Sequence, residues 1–158
     1  MENNNQIDNF IEKFALNLEK NTRLPHAGGK IFAYLLICDP PEQTAKQIIN
    51  ELEISKSSFS YMIRLLIESQ IVQEINKKGI RSRHYKIKEN GYDFLFLKKL
   101  QGLYETRLIL EEGISLLNES GSANERIQNV HELYSFFEEE MILLDKKWKN
   151  KKGIIQKI

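Results

Sequence analysis

The chain has 158 residues, of which 41% are hydrophobic and 28% charged, and its formal net charge is +1. These values are ordinary for a compact soluble protein. The single cysteine, Cys38, excludes an intrachain disulfide and a thiolate metal cluster, and the three histidines lack the spacing of a metal site. Neither a metal nor a cofactor is therefore expected.

The hydropathy pattern predicts a cytoplasmic protein with no membrane partner. Residues 1–5 are polar and contain no Lys or Arg, unlike the start of a signal peptide. The longest apolar run, residues 31–38, is far shorter than the roughly 20 residues that span a bilayer.

Residues 7–18 are predicted to form a helix with one apolar face. That face comprises Ile7, Phe10, Ile11, Phe14, Ala15 and Leu18. So short a helix is marginal alone and must pack against something. It covers either the core of its own chain or a partner subunit, and the sequence does not choose between them. Pro25 suits the first turn of the next helix, where Gly28 and Gly29 would let two backbones approach closely.

Residues 31–38 are apolar on nearly all sides, which predicts a helix in the middle of the core. Cys38 is assigned to this helix. It is either a redox sensor or a small buried hydrophobe, and the second interpretation is favoured because no neighbouring cation would lower its pKa. Residues 39–41, Asp-Pro-Pro, end the helix because a residue before proline avoids the helical region.

Two short amphipathic helices follow, separated only by Glu53 and Ile54. Their apolar residues are Ala45, Ile48, Ile49 and Leu52 in the first and Phe59, Met62, Ile63, Leu66 and Ile67 in the second. Both sets have the spacing of a helix with one buried face. Thr44 with Gln47 fits a capping box, and Ser55 fits the N-cap of the second helix. A corner this sharp predicts a helix-turn-helix.

The outward face of the second helix carries hydrogen-bond donors. Its residues are Lys56, Ser57, Ser58, Ser60, Tyr61 and Arg64. Hydroxyls and cations of this kind contact phosphates and base edges. Residues 71–75 and 85–87 alternate like strands, and the nine residues 76–84 between them include Lys77, Lys78, Arg81 and Arg83. A basic hairpin beside such a helix is typical of a winged helix, with Gly79 supplying the turn.

Two long helices are predicted after the hairpin. The first runs from about residue 90 to residue 117, with heptad-like positions Phe96, Leu100, Leu103, Arg107, Leu110, Ile114 and Leu117. Gly102 and Gly113 mark close contacts or a bend. Ser122 and Glu125 fit a second capping box. The last helix carries Ile127, Val130, Tyr134, Phe137, Met141, Leu144 and Trp148, with further apolar residues beside them. Such breadth predicts burial on two sides, which a dimer would provide.

The formal net charge of the whole chain is close to zero, but the charges are unevenly distributed along it. Residues 55–88 contain eight Lys or Arg against two acids, a net charge of +6, whereas residues 104–145 contain ten acids against two arginines, a net charge of −8. A basic helix and wing on an acidic scaffold favour DNA binding. The alternative is that the corner and hairpin are an ordinary solvated surface. The tail from Lys146 carries six lysines and could be a solvated end or reach DNA or the acidic helices.

Several motifs resemble GbsR-type regulators of the MarR superfamily. They are residues 29–41, ending in Asp-Pro-Pro; residues 55–60 with Arg64-Leu65-Leu66; and Gly79-x-Arg81-x-x-x-Tyr85. The resemblance covers roughly residues 24–92. Lys30 replaces a common Arg, and Ser57 replaces a common Gly, and either change could alter operator preference. The resemblance implies a homodimeric winged-helix transcriptional regulator, often a repressor.

The sequence thus predicts a mainly α fold with a small β-hairpin wing, an α+β winged helix-turn-helix with long C-terminal dimerisation helices. Residues 1–158 form one regulator, with residues 24–88 as the DNA-binding part and residues 1–20 and 89–158 as the helical dimerisation part. The predicted DNA contacts are Thr44, Lys56, Ser57, Ser58, Ser60, Tyr61, Arg64, Lys77, Lys78, Arg81 and Arg83. The predicted partners are a double-stranded DNA operator and a second copy of the chain.

Two further hypotheses remain open. No catalytic constellation is present, so an enzyme is not expected, but a winged-helix module that binds protein and not DNA is a rival to the regulator. The family resemblance also implies a small-molecule effector, with a quaternary ammonium as candidate. Such a cation needs an aromatic cage, for which the candidates are Tyr104, Tyr134, Phe137 and Trp148. The competing interpretation is that these aromatics simply fill the interface.

Overall fold

The computed structural model describes residues 2–122 and 124–152, apart from the side chains of residues 2–4. Within them lie six helices and three strands. In chain order they are α1 (Glu2–Thr22), α2 (His26–Ile37), β1 (Gln43–Thr44), α3 (Ala45–Leu52), α4 (Lys56–Glu68), β2 (Val72–Asn76), β3 (Arg83–Ile87), α5 (Asp93–Glu119) and α6 (Glu125–Lys151). The chain divides into two compact units, Met1–Leu95 and Phe96–Ile158.

The first unit is a winged helix built on the predicted apolar faces. Ile48 and Leu52 of α3 and Phe59, Met62, Ile63 and Leu66 of α4 are buried in one core. The turn between these helices is made by Glu53, which adopts a left-handed conformation with φ of 50°. Both predicted caps are present: Thr44 and Gln47 bond reciprocally, and the Ser55 hydroxyl accepts from the backbone of Ser58. Local sequence signals therefore define the helix-turn-helix.

Helix α1 is longer than predicted and packs against α2 of its own chain. Ile11, Ala15 and Leu18 are buried there. The approach is close at Gly29, where an added Cβ would lie 2.9 Å from the Cα of Ala15. The remaining apolar residues of α1 include Ile7 and Phe10, which are about 40% exposed. The helix thus covers its own core with one part of its face only.

The structure corrects the prediction for residues 31–38 in two respects. Helix α2 ends at Ile37, and Cys38 is an extended C-cap residue outside the helix, because the following Asp39-Pro40-Pro41 turns the chain away. The helix is also not buried all round. Ile31, Phe32, Ala33 and Leu35 face the core, whereas Leu36 and Ile37 are exposed.

The three strands form one antiparallel sheet in the order β1-β3-β2. Strands β2 and β3 are the predicted hairpin, with Val72 opposite Ile87 and Asn76 opposite Arg83. The two-residue strand β1, which was not predicted, pairs with β3 through Gln43 and Tyr85. The first unit is therefore a helical body with a small three-stranded wing, as in a winged-helix protein.

The second unit contains most of α5 and all of α6. The heptad-like positions predicted for α5 are its less exposed face, and Arg107 among them bonds Glu138 of α6 at 2.6 Å. Gly113 faces the end of the Ile127 side chain. On α6, by contrast, only Ile127, Tyr134 and Met141 of the predicted seam are partly covered in the single chain.

The predicted start of each long helix needs correction. Helix α5 begins at Asp93 and not near residue 90, because Asn90 has a positive φ and the segment 90–92 forms turns. The second capping box is wrong: α6 begins at Glu125 with Asn124 as its N-cap, and the Asn124 side chain accepts a hydrogen bond from the Arg126 backbone at 3.0 Å. Among the described residues, no helix is both long and apolar enough to cross a membrane.

Candidate nucleic-acid interface

Helix α4 presents two chemically different faces. Phe59, Met62, Ile63 and Leu66 point into the core. On the opposite side Lys56, Ser57, Ser60, Tyr61 and Arg64 are exposed, with Tyr61 exposed by 62%. A 62% exposed tyrosine contributes little to its own fold, so its ring and hydroxyl are available to a partner. The exposed face thus combines cations, hydroxyls and one aromatic ring within about two helical turns.

Not every predicted contact residue on this helix is equally available. The Ser57 hydroxyl lies 3.0 Å from that of Ser55, and Ser58 is half-buried at the capped helix start. The Thr44 hydroxyl bonds the side chain of Gln47 at 2.7 Å. Local capping therefore accounts for these hydroxyls, and their DNA contacts stay predictions.

An aromatic contact fixes the wing against α4. Phe59 of α4 and Tyr85 of β3 meet edge to face, with ring centroids 5.6 Å apart. Tyr85 is buried, and this burial raises the pKa of its phenol, with the charge of Glu74 acting in the same direction. Edge-to-face pairs of this kind add stability beyond the area they bury. This contact therefore joins α4 to the base of the wing through the core of the first unit.

The tip of the wing is a tight turn that displays its cations. Gly79 has φ of +81°, a conformation that favours glycine, and the Ile80 backbone donates to the Lys77 carbonyl at 3.0 Å. Lys78 and Arg81 are exposed and have no ion pair among residues 2–122 and 124–152. The turn predicted at Gly79 is confirmed.

The other two predicted contact residues of the wing, Lys77 and Arg83, have carboxylate partners. Lys77 Nζ lies 2.7 Å from Glu42 Oε2, and Arg83 Nη1 lies 3.3 Å from Glu74 Oε2. Lys86 of β3 lies 3.5 Å from the second oxygen of Glu42. The hydrogen bond from Lys77, followed by the charges of both lysines, lowers the pKa of Glu42, so this carboxylate is ionised at neutral pH. Sequence reasoning missed Glu42, since nothing local relates it to a lysine 35 residues later.

Glu42 precedes Gln43, whose side chain and backbone are both hydrogen-bonded. Its neighbour Gln43 is a buried polar residue, whose side chain donates to the Pro40 carbonyl at 2.6 Å and accepts from the Tyr34 hydroxyl at 3.0 Å. Gln43 also pairs with Tyr85 in the sheet. These bonds connect α2, the segment before α3, and the wing.

The four predicted effector residues lie in the second unit. Tyr104 lines a groove of about 290 Å³ with Leu97, Leu100, Gln101, Glu138 and Ile142. Of the four aromatics only Tyr104 lines this groove; Tyr134 is half-buried, Phe137 meets Phe136 at 5.7 Å, and Trp148 has Lys152 over its ring at 5.1 Å. In the described part of the single chain the predicted cage is thus not gathered around one groove.

Comparison with known proteins finds similarity to transcriptional regulators. A family described as "MmpR5-like MarR family transcriptional regulator" matches residues 94–151, which lie in α5, α6 and their connection. The curated "HTH-type transcriptional regulator MmpR5" of Mycobacterium tuberculosis (strain ATCC 25618 / H37Rv) is 20% identical over 133 residues, which cover 84% of this chain and 80% of that protein.

A solved structure shares the fold. The chain described as "Crystal Structure of a transcriptional regulator" superposes with a TM-score of 0.67 at 19% identity, covering 92% of this chain and 99% of the other. The winged-helix fold class expected from the sequence is confirmed. Residues 94–151 are thus similar to a family of MarR-type transcriptional regulators, the chain is similar to one curated regulator at low identity, and the solved structure shows a shared fold.

Proposed function

We propose that this protein is a homodimeric, sequence-specific DNA-binding regulator that represses transcription. The observation that carries this proposal is a set of exposed donors and cations on α4 and the adjoining wing of the first unit. It combines the exposed donors of α4 with the exposed cations Lys78 and Arg81 of the wing, joined through Phe59 and Tyr85. Helix α4 would enter the major groove, where side-chain donors read base edges, and the wing would lie along phosphates or the minor groove.

Within this assignment, each predicted contact has a proposed role. Arg64, Lys56, Ser60 and Tyr61 reach bases or phosphates from α4, with Ser57 and Ser58 at the helix start close to the backbone. Thr44 lies at the N-terminus of α3, where phosphates are commonly bound. Lys77, Lys78, Arg81 and Arg83 give the wing its positive charge. A regulator of this type would act on the chromosome in the cytoplasm and would have no enzymatic activity.

The dimer is supported by apolar surface that a single chain leaves uncovered. Exposed large side chains on α6 include Val130, Leu133, Phe136, Phe137, Ile142, Leu143 and Leu144. Ile7, Phe10 and Ile37 line a further apolar depression of about 340 Å³ in the first unit. Exposed apolar surface in each of the two units is typical of an interaction site. A symmetric dimer using α5, α6 and α1 would cover it, and its two α4 helices would read half-sites about one helical turn apart.

The subtype and effector are the finer parts of the proposal. The motifs in residues 29–41 and 55–85 support the GbsR-type subtype within MarR-like regulators. A small-molecule effector would act on the α5–α6 hairpin, where Tyr104 and Glu138 line one groove. Glu138 is already paired with Arg107 there, which weakens the attraction for a quaternary ammonium. A shift in melting temperature with choline or betaine, absent with unrelated cations, would support such an effector.

A salt series on duplex binding tests the proposed function. Operator fragments are first selected from random DNA, and the dissociation constants for the operator and for scrambled duplex are then measured from about 50 to 200 mM salt. A regulator should show a steep slope, near −0.9 per neutralised phosphate, and should prefer the operator at every salt concentration. The rival protein-binding module would retain no duplex at any salt concentration, and this result would refute the proposal.

A further inference from the structure

The wing contains carboxylates that compete with DNA for its cations. Glu42 lies against Lys77 at 2.7 Å and Lys86 at 3.5 Å, and Glu74 lies against Arg83 at 3.3 Å. Lys78, next to Lys77 in the same turn, has no such partner among residues 2–122 and 124–152. Two adjacent lysines of one loop therefore differ in whether their charge is already matched within the protein.

Glu42 is placed to hold its lysines firmly. The neighbouring Gln43 is fixed by Tyr34 and Pro40 and by its pairing with Tyr85, so the Glu42 carboxylate projects from a rigid base. Lys77 donates a short charge-assisted hydrogen bond, which is stronger than a neutral one. Both side chains remain partly exposed, so a phosphate can replace the carboxylate if it arrives in the right position.

We propose that Glu42 is a specificity-determining residue, which keeps Lys77 from phosphate in non-specific complexes and so raises the preference for the operator. The inference rests on the proposed function. Non-specific binding is almost entirely the attraction between protein cations and phosphates. An internal counterion at the wing lowers that attraction, whereas the base contacts from α4 are unaffected. In the operator complex the base contacts from α4 fix the register of the duplex, so a phosphate can be held where it replaces the Glu42 carboxylate at Lys77, and the ratio of operator affinity to random-DNA affinity therefore increases.

One matched pair of variants tests the inference. Glu42→Gln keeps the size of the side chain and removes its charge, and Glu68→Gln makes the same charge change at an exposed position of α4 that has no ion pair among residues 2–122 and 124–152. Relative to Glu68→Gln, Glu42→Gln should bind random duplex about two- to tenfold more tightly, with a salt slope steeper by about one. Operator affinity should rise less, so the preference should fall. Circular dichroism and melting temperature verify that both variants are folded.

A double-mutant cycle identifies the lysine involved. In the parent, Lys78→Gln should reduce the salt slope of random-duplex binding by about one. Lys77→Gln should reduce the same slope by less than half of that amount. In the Glu42→Gln background, Lys77→Gln should have the same effect as Lys78→Gln. Equal effects of the two lysine substitutions in both backgrounds would overturn the inference, as would a Glu42→Gln variant that behaves like Glu68→Gln or binds more weakly. A parent protein that retains no duplex would overturn the proposed function as well, so the two failures are distinguishable.

Discussion

At the scale of single residues, position on α4 determines whether a side chain serves stability or binding. Phe59 contacts Tyr85 and the core, whereas Arg64, five residues later, is exposed on the opposite face. Arg64 has no hydrogen bond or ion pair within the described part of the chain, so the fold does not need its guanidinium. Its loss should therefore affect recognition and leave folding intact.

Arg64→Ala should weaken operator binding by about 1–3 kcal/mol if Arg64 contacts a base. The loss on scrambled duplex should be smaller, since a base contact adds sequence preference and a phosphate contact does not. Fluorescence anisotropy on both duplexes measures the difference. Lys13→Ala removes an exposed cation from α1 and serves as the control. An unchanged affinity on both duplexes, with the fold intact, contradicts the assignment.

Cys38 allows a prediction about pH. Burial raises the pKa of its thiol, and the charge of Asp39 acts in the same direction. A raised pKa leaves less thiolate at neutral pH, and the thiolate is the reactive form. Iodoacetamide should therefore alkylate Cys38 more slowly at pH 7 than the same thiol in the denatured chain, with the rate rising at higher pH in the folded protein. Mass spectrometry of the rate against pH checks this. Faster alkylation of the folded protein would restore the redox-sensor hypothesis.

At the scale of elements, the packing of α1 against α2 depends on the absence of a side chain at Gly29. A Cβ there would lie within 2.9 Å of the Ala15 backbone. Gly29→Ala should therefore destabilise the first unit by about 1–3 kcal/mol through overpacking. Gly102→Ala is the control, because Gly102 faces open space and alanine should stabilise α5 by about 1 kcal/mol. Amide hydrogen exchange in α1 and α2 measures the first effect, and no loss of protection would contradict it.

Local patterns predicted the elements that depend on neighbours in sequence. The stripe of α4, the Ser55 cap and the Gly79 turn all follow from residues within about four positions of one another. The two-residue strand β1 was not predictable, because it exists only through pairing of Gln43 with Tyr85. The Ser122 box failed because Asn124, a competing cap residue two positions later, accepts the backbone hydrogen bond. A tertiary contact decided the first case, and competition between two local cap residues decided the second.

The same limit applies to the candidate site. Charge counting identified the basic helix and wing, yet it counted Lys77 and Lys78 as equivalent. The structure distinguishes them, because Glu42 lies 2.7 Å from Lys77. The same holds for α6: Phe137 and Leu144 are on the predicted seam and are exposed by 47% and 54% in the single chain, so their predicted burial depends on a second surface. A heptad pattern identifies the residues that favour burial, but it does not identify the surface that covers them.

At the scale of the whole molecule, the proposed dimer predicts that the exposed apolar face of α6 is required for association. The double substitution Phe137→Glu with Leu144→Glu places charges on its exposed apolar face and should give a monomer by light scattering, because a charge buried without a partner opposes association. Operator affinity should fall with it, since two linked half-site contacts are lost. Gln128→Glu with Asn129→Glu adds the same charge at exposed polar positions of α6 and should leave the dimer intact. A parent protein that is monomeric at micromolar concentration would refute the dimer.

The uncovered apolar face of α6 also has a consequence for protein turnover in the cell. In the proposed dimer the partner subunit covers these side chains, so a newly made chain would present them to chaperones and proteases until it pairs. Pairing depends on the square of chain concentration, so at low expression a large share of the chains would be degraded before they dimerise. The abundance of active regulator would then rise more steeply than its synthesis rate, and a small change in expression would cause a larger change in operator occupancy.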